Sequence, residues 1–188
     1  MRCYILLPLM GLTALVPATL RAETPPPQLL GKTILVEWVE TRERSLGNDP
    51  RVNTTMLASS LRIYVSTAGH LFSELSESVQ GGGVRGSASG QQGPGDMSAS
   101  RGAPRLIHFE RGSLILQQNR GDIGARQINV SFDNGYTSCT AHLIEGRQPG
   151  GKPIRMTGTV SGMPLKIYSL QHSAPRCSIS EGPTFVGH

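Results

Sequence analysis

The chain has 188 residues, with 18 Lys and Arg against 13 Asp and Glu, and only 5% of its side chains are aromatic. This length suits one domain with a real core. The basic residues are scattered and never three in a row, and there are too few aromatics for a stacking surface, which excludes a nucleic-acid partner.

Residues 1–22 read as a secretory signal peptide. Arg2 supplies the positive start and Tyr4 to Val16 the apolar run. Leu20-Arg21-Ala22 places small or compatible residues at the cleavage site, so the mature chain is expected to begin at Glu23; Val16-Pro17-Ala18 is a second candidate. The run of about 13 residues is short of the roughly 20 that a spanning helix needs, and Pro8 and Pro17 would break such a helix. No later segment is apolar enough to span, so no transmembrane segment is expected after cleavage. Cys3 lies at the front of the signal and is not a lipid-attachment cysteine. Loss of Arg2 and Arg21 lowers the formal charge of +5 by two. Lysine is confined to Lys32, Lys152 and Lys166, and the arginine excess reads as surface solvation.

Residues 23–30 form a Pro-rich spacer through Pro25, Pro26 and Pro27, and residues 31–188 read as a single β domain. From Thr33 to Thr41 the pattern alternates, with Ile34, Val36 and Trp38 on one face. Leu61, Ile63 and Val65 alternate in the same way, and Ala68-Gly69 turns into a strand from His70 to Leu75. Glu77 to Pro104 holds eight glycines and five serines in 28 residues, and is read as a long disordered Gly/Ser-rich loop.

Two strands, Arg105 to Phe109 and Ser113 to Gln118, flank an Arg111-Gly112 turn. Ile128, Val130 and Phe132 share a face, and Asp133-Asn134-Gly135 is a hairpin signal in which Asn and Gly would take the positive φ. The return strand sets Cys139, Ala141 and Leu143 on one face. Ile154 to Val160 and Leu165 to Leu170 pair through Ser161-Gly162-Met163-Pro164, and a last strand carries Cys177 and Ile179. The whole is an all-β chain of about eight strands in a hairpin meander, closing as a small antiparallel barrel or sandwich.

Cys139 and Cys177 remain after signal removal, and in an oxidising compartment such a pair is read as a disulfide. It closes a loop of about 39 residues, worth roughly 4 kcal/mol on the loop-entropy estimate. No catalytic residue is assigned. Gly31-Lys32-Thr33 lacks the upstream glycine of a phosphate loop, because Pro26 stands there, and there is no G-x-S-x-G elbow. His70, His108, His142 or His172 with Asp122 or Asp133 could form a triad, but no spacing favours one set. No histidine pair has metal spacing, no calcium loop occurs, and no cofactor is implied. Glu37, Glu40 and Glu43 lie in or just after a strand, and paired carboxylates drawn from distant strands stay open. Trp38 is read as core, or as the lining of a ligand pocket.

Leu30-Gly31-Lys32-Thr33-Ile34 through Thr41-Arg42, Ile63-Tyr64-Val65-Ser66, Val130-Ser131-Phe132-Asp133, Ser138-Cys139 and Arg176-Cys177-Ser178 together resemble small exported proteins of α-proteobacteria. The resemblance implies a periplasmic or secreted setting and carries over no activity and no functional residue. The leading expectation is therefore an exported, non-enzymatic β protein that binds a small molecule or an envelope protein. The alternatives are a secreted hydrolase with residues from several strands, and a protease-inhibitor-like envelope module that engages its partner through a loop.

Overall fold

The computed structural model describes residues 24–79, 84–93, 96–99, 104–119, 125–145 and 157–184. The expected signal peptide and the Ile154 end of its strand lie outside them. Apart from one 3-10 turn, Pro27–Leu29, the regular elements are all strands: β1 (Lys32–Leu46), β2 (Asn53–Val65), β3 (Leu71–Val79), β4 (Val84–Gly93), β5 (Asp96–Ala99), β6 (Pro104–Glu110), β7 (Ser113–Asn119), β8 (Ala125–Phe132), β9 (Cys139–Glu145), β10 (Thr157–Val160), β11 (Met163–His172) and β12 (Arg176–Glu181). All ladders are antiparallel. One sheet runs β10-β11-β1-β2-β3-β4-β5 with β12 also on β1, and the other runs β6-β7-β8-β9. The all-β expectation holds, with more strands than the sequence pattern announced.

The alternating residues do what their period dictates. Ile34 and Val36 of β1, Leu61 and Ile63 of β2, and Leu75 of β3 face Phe109, Leu114, Leu116, Ile128 and Val130 of the other sheet in one shared core. This is two-layer packing around a common apolar centre. The Pro-rich spacer is not merely a spacer. Its last residues wind into the 3-10 turn, and Leu29 is fully buried in the core.

Of the segment Glu77 to Pro104, expected to be a disordered loop, residues 80–83, 94–95 and 100–103 lie outside the described ones, and the described remainder is strand, which corrects the expectation there. It contains β4, which pairs with β3 from Leu71↔Gln92 to Ser78↔Val84, and β5, which pairs with β4 from Gly90↔Ala99 to Gly93↔Asp96. Backbone hydrogen bonds alone suffice to extend a sheet at its edge. A strand there can therefore be rich in glycine and serine, with few apolar side chains to announce it.

Hairpin geometry follows turn chemistry in two places. Arg111 (φ 50) and Gly112 (φ 72) join β6 to β7, and Ser161 (φ 51) and Gly162 (φ 77) join β10 to β11. Both are two-residue loops with consecutive left-handed residues, whose twist matches that of the strands. The Asp133 turn works otherwise. Its one left-handed residue is Tyr136 (φ 54), not Asn134 or Gly135. The turn is organised by the Asp133 carboxylate, which accepts from the Thr137 hydroxyl at 2.6 Å and from the Thr137 and Ser138 amides at 2.7 and 3.2 Å. The Thr137 hydroxyl bond, then the Ser138 and Thr137 amides, lower the Asp133 pKa from 3.8 to about 2. A depressed carboxyl stabilises the fold above its unfolded pKa, and that stability is lost as pH falls through the folded value. The stability difference between wild type and Asp133→Ala is therefore expected to be constant above pH 3.8 and to shrink toward about 2. Urea melts of the two proteins across that window check this; a difference that does not change with pH would refute it.

Strand β1 carries two neighbours on one edge. Glu40–Leu46 pairs with β11, with an irregularity at Glu43/Arg44, and Lys32–Glu37 pairs with β12. Ser173 bridges the gap between them. Its amide donates to Val39 O at 2.8 Å, and its hydroxyl accepts from the Val39 amide at 3.0 Å.

Candidate functional site

The stretch of β1 from Glu37 to Arg42 is a shared wall. Because strand side chains alternate between faces, Trp38, Glu40 and Arg42 point inward and are buried, whereas Glu37, Val39 and Thr41 face out and are only half-covered.

The inner side holds a buried charge network. Arg126 of β8 is 1% exposed and Glu40 of β1 also 1%. Arg126 Nη2 donates to Glu40 Oε2, and Arg126 Nε to Glu145 Oε1. Arg42 Nε donates to Glu40 Oε1. Arg126 and Glu145 are direct partners in the β8–β9 register, so one pair lies within a sheet and the Glu40 contact crosses between sheets. The Arg126 guanidinium lies 5.3 Å from the centre of the Trp38 ring, within cation–π range. Removing a carboxylate or guanidinium from water costs several kcal/mol per ion, and only close pairing with further hydrogen bonds offsets it. Trp38 Nε1, on the ring that the Arg126 guanidinium faces, is buried with no hydrogen-bond partner among the described residues.

The outer side is a groove of about 650 Å³ over β1, β2 and β3. Its floor is made of small side chains, Ala58, Ser60, Ser76 and Ser78, which the register sets side by side as Ala58↔Ser78 and Ser60↔Ser76. Val39 borders it, Ser173 and Ala174 cross one side, and the Glu37–Arg176 ion pair (3.4 Å) stands at one end. A second groove of about 550 Å³ continues over Thr41 and Met56, and Met56 is 40% exposed.

Of the residues singled out in the sequence, Trp38 is 3% exposed and packs in the core, yet it is also among the residues that wall the outer groove. Cys139 and Cys177 form the expected disulfide, joining β9 to β12. His142 and His172 line a third groove of about 550 Å³ together with both cysteines. His108 lies 3.8 Å from Glu110, His70 sits at the β2–β3 turn, and Asp133 is committed to its own turn. Asp122 lies outside the described residues. Lys32 begins β1 and pairs with Glu181 at 3.5 Å, so Gly31-Lys32-Thr33 serves a strand. Among the described residues, no group of three or more His, Cys, Asp or Glu could hold a metal, and no helix is long and apolar enough to cross a membrane.

Sequence reading missed Glu40, Arg42, Arg126 and Glu145 as a set. The signal was parity. Glu40 and Arg42 continue the inward series Ile34-Val36-Trp38, Arg126 precedes Ile128 and Val130, and Glu145 follows Ala141 and Leu143. Carrying each alternation two residues further places a charge inside on three strands. The chain matches no protein-family model, and no curated protein or solved structure matches it.

Proposed function

We propose that the chain is an exported, non-enzymatic β protein that binds a small molecule in the groove over Val39, Ala58, Ser60, Ser76 and Ser78. The observation that carries this reading is the groove itself. Its volume of about 650 Å³ falls in the range of roughly 300–1,000 Å³ usual for ligand clefts. Its floor presents three serine side chains and the Ala58 methyl on two paired strands, β1 borders it through Val39, and an ion pair stands at one end. Rigid elements hold a binding surface better than loops do. Export is supported by residues 1–22, in the arrangement of a positive start, apolar run and small residue before Glu23.

One experiment addresses both parts. Native mass spectrometry of protein purified from its own host is expected to show a chain beginning at Glu23 with a bound small molecule. Ser76→Trp fills the groove from its half-buried floor, and is expected to abolish that added mass while changing stability by no more than about 1 kcal/mol. An uncleaved chain would sink the export reading. A ligand retained undiminished by Ser76→Trp would sink the groove.

A further inference from the structure

We propose that the Cys139–Cys177 disulfide is a redox latch that holds β12 over one edge of β1, so that a dithiol reductant frees β12 and bares this edge.

Little else holds β12. Of its six residues only Cys177 and Ile179 are even half-buried. Its one backbone ladder runs to β1, from Lys32↔Glu181 to Glu37↔Arg176. Four further contacts hold it: at the near end the Glu37–Arg176 ion pair at 3.4 Å, between exposed groups, and at the far end Lys32–Glu181 at 3.5 Å, the Gly182 amide donating to Gly31 O at 2.8 Å, and the Thr33 hydroxyl donating to Gly182 O at 2.6 Å. Toward the other sheet β12 has no ladder, since β9 ends its sheet and pairs with β8 alone. The disulfide is the bond that fixes β12 to β9.

The disulfide is also within reach of solvent. Both cysteines line the groove of about 550 Å³ that runs between the β9 edge and Ala174-Pro175. A thiolate of a dithiol attacks one of the two sulfurs and forms a mixed disulfide. The second thiolate of the reductant then displaces the protein sulfur. Two electrons and two protons pass to Cys139 and Cys177, which become thiols, and the reductant leaves as its own disulfide.

Once the cross-link is gone, β12 is a short edge strand with few buried contacts, the kind of element that opens without the rest of the fold. Its departure bares the backbone groups of β1 from Lys32 to Glu37.

The test is amide hydrogen exchange on the full chain, with and without dithiothreitol, comparing residues 176–181 with the β7 and β8 amides in the same sample. On reduction the exchange rate of β12 relative to β7 and β8 is expected to rise by at least about tenfold. Trypsin cleavage after Arg176 is expected to accelerate alongside. Cys177→Ser should reproduce the reduced behaviour without reductant. A relative rate that does not change would overturn the proposal, because the disulfide would then act only on global stability. So would a disulfide that dithiothreitol cannot reduce while the protein stays native. None of these readouts depends on a ligand in the outer groove, so the latch and the binding reading can fail separately.

Discussion

Glu40→Ala is expected to destabilise the protein by about 3–5 kcal/mol, the usual cost of removing one member of a buried ion pair. Glu40 is the member that joins the two sheets, accepting from Arg126 on one side and Arg42 on the other. Without it, two guanidiniums lose an anionic partner at a site where Arg126 is 1% exposed. The charge left behind, and not the lost attraction, makes the loss large. The contrast follows directly: a variant in which Glu40, Arg42, Arg126 and Glu145 are replaced together by Leu, Met, Met and Leu leaves no buried charge behind and should lie within about 1–2 kcal/mol of wild type or above it, since well-packed apolar groups often equal a buried ionic network. Urea unfolding of the single and quadruple variants measures both values. If Glu40→Ala cost less than about 1 kcal/mol, the network would not be a desolvated one.

The same network shows where sequence reasoning stopped. Alternation located the inward residues of β1, β2, β8 and β9, because Ile34, Leu61, Ile128 and Ala141 stand in clean period-2 series and all are buried, whereas it assigned no face to Leu114 or Leu165. It gave no warning for Glu40 and Arg126, because a charge normally ends an inward series and is read as the start of the solvent face. What overrides that default is a partner on the other sheet, and pairing at a sequence separation of 86 is invisible in local pattern. β4 and β5 were missed for the opposite reason. Edge strands need backbone partners and little apolar burial, and Gly and Ser signal loop far more strongly than strand. The disulfide was legible because two cysteines allow only one pairing. The outer groove was not, since its floor of Ala58, Ser60, Ser76 and Ser78 is defined by the register of β2 against β3.

Replacing both Cys139 and Cys177 by Ala is expected to cost about 4 kcal/mol, the chain-entropy value for a loop of this length. The sequence separation is 38. The cost comes from the unfolded chain, which regains the freedom that the cross-link removed. Alanine avoids burying new hydroxyls where both cysteines pack against the core. Wild type unfolded in excess reductant should give the same midpoint as the double variant, and a gap between the two would point to native contacts of the sulfurs. The disulfide and the charge network act at opposite ends of β9. Cys139 opens the strand and Glu145 closes it, a separation of about 20 Å at the usual rise per residue. Sites that far apart contribute additively to within about 0.5 kcal/mol. Combining Glu40→Ala with loss of the disulfide should therefore remove about 8 kcal/mol, against a total of about 5–15 kcal/mol for a typical domain. The combined variant is expected to be largely unfolded at 37 °C, with each single change still folded. A combined loss well below the sum would mean that the disulfide and the charge network hold the same inter-sheet contact, and that the sandwich has one tie where the geometry indicates two.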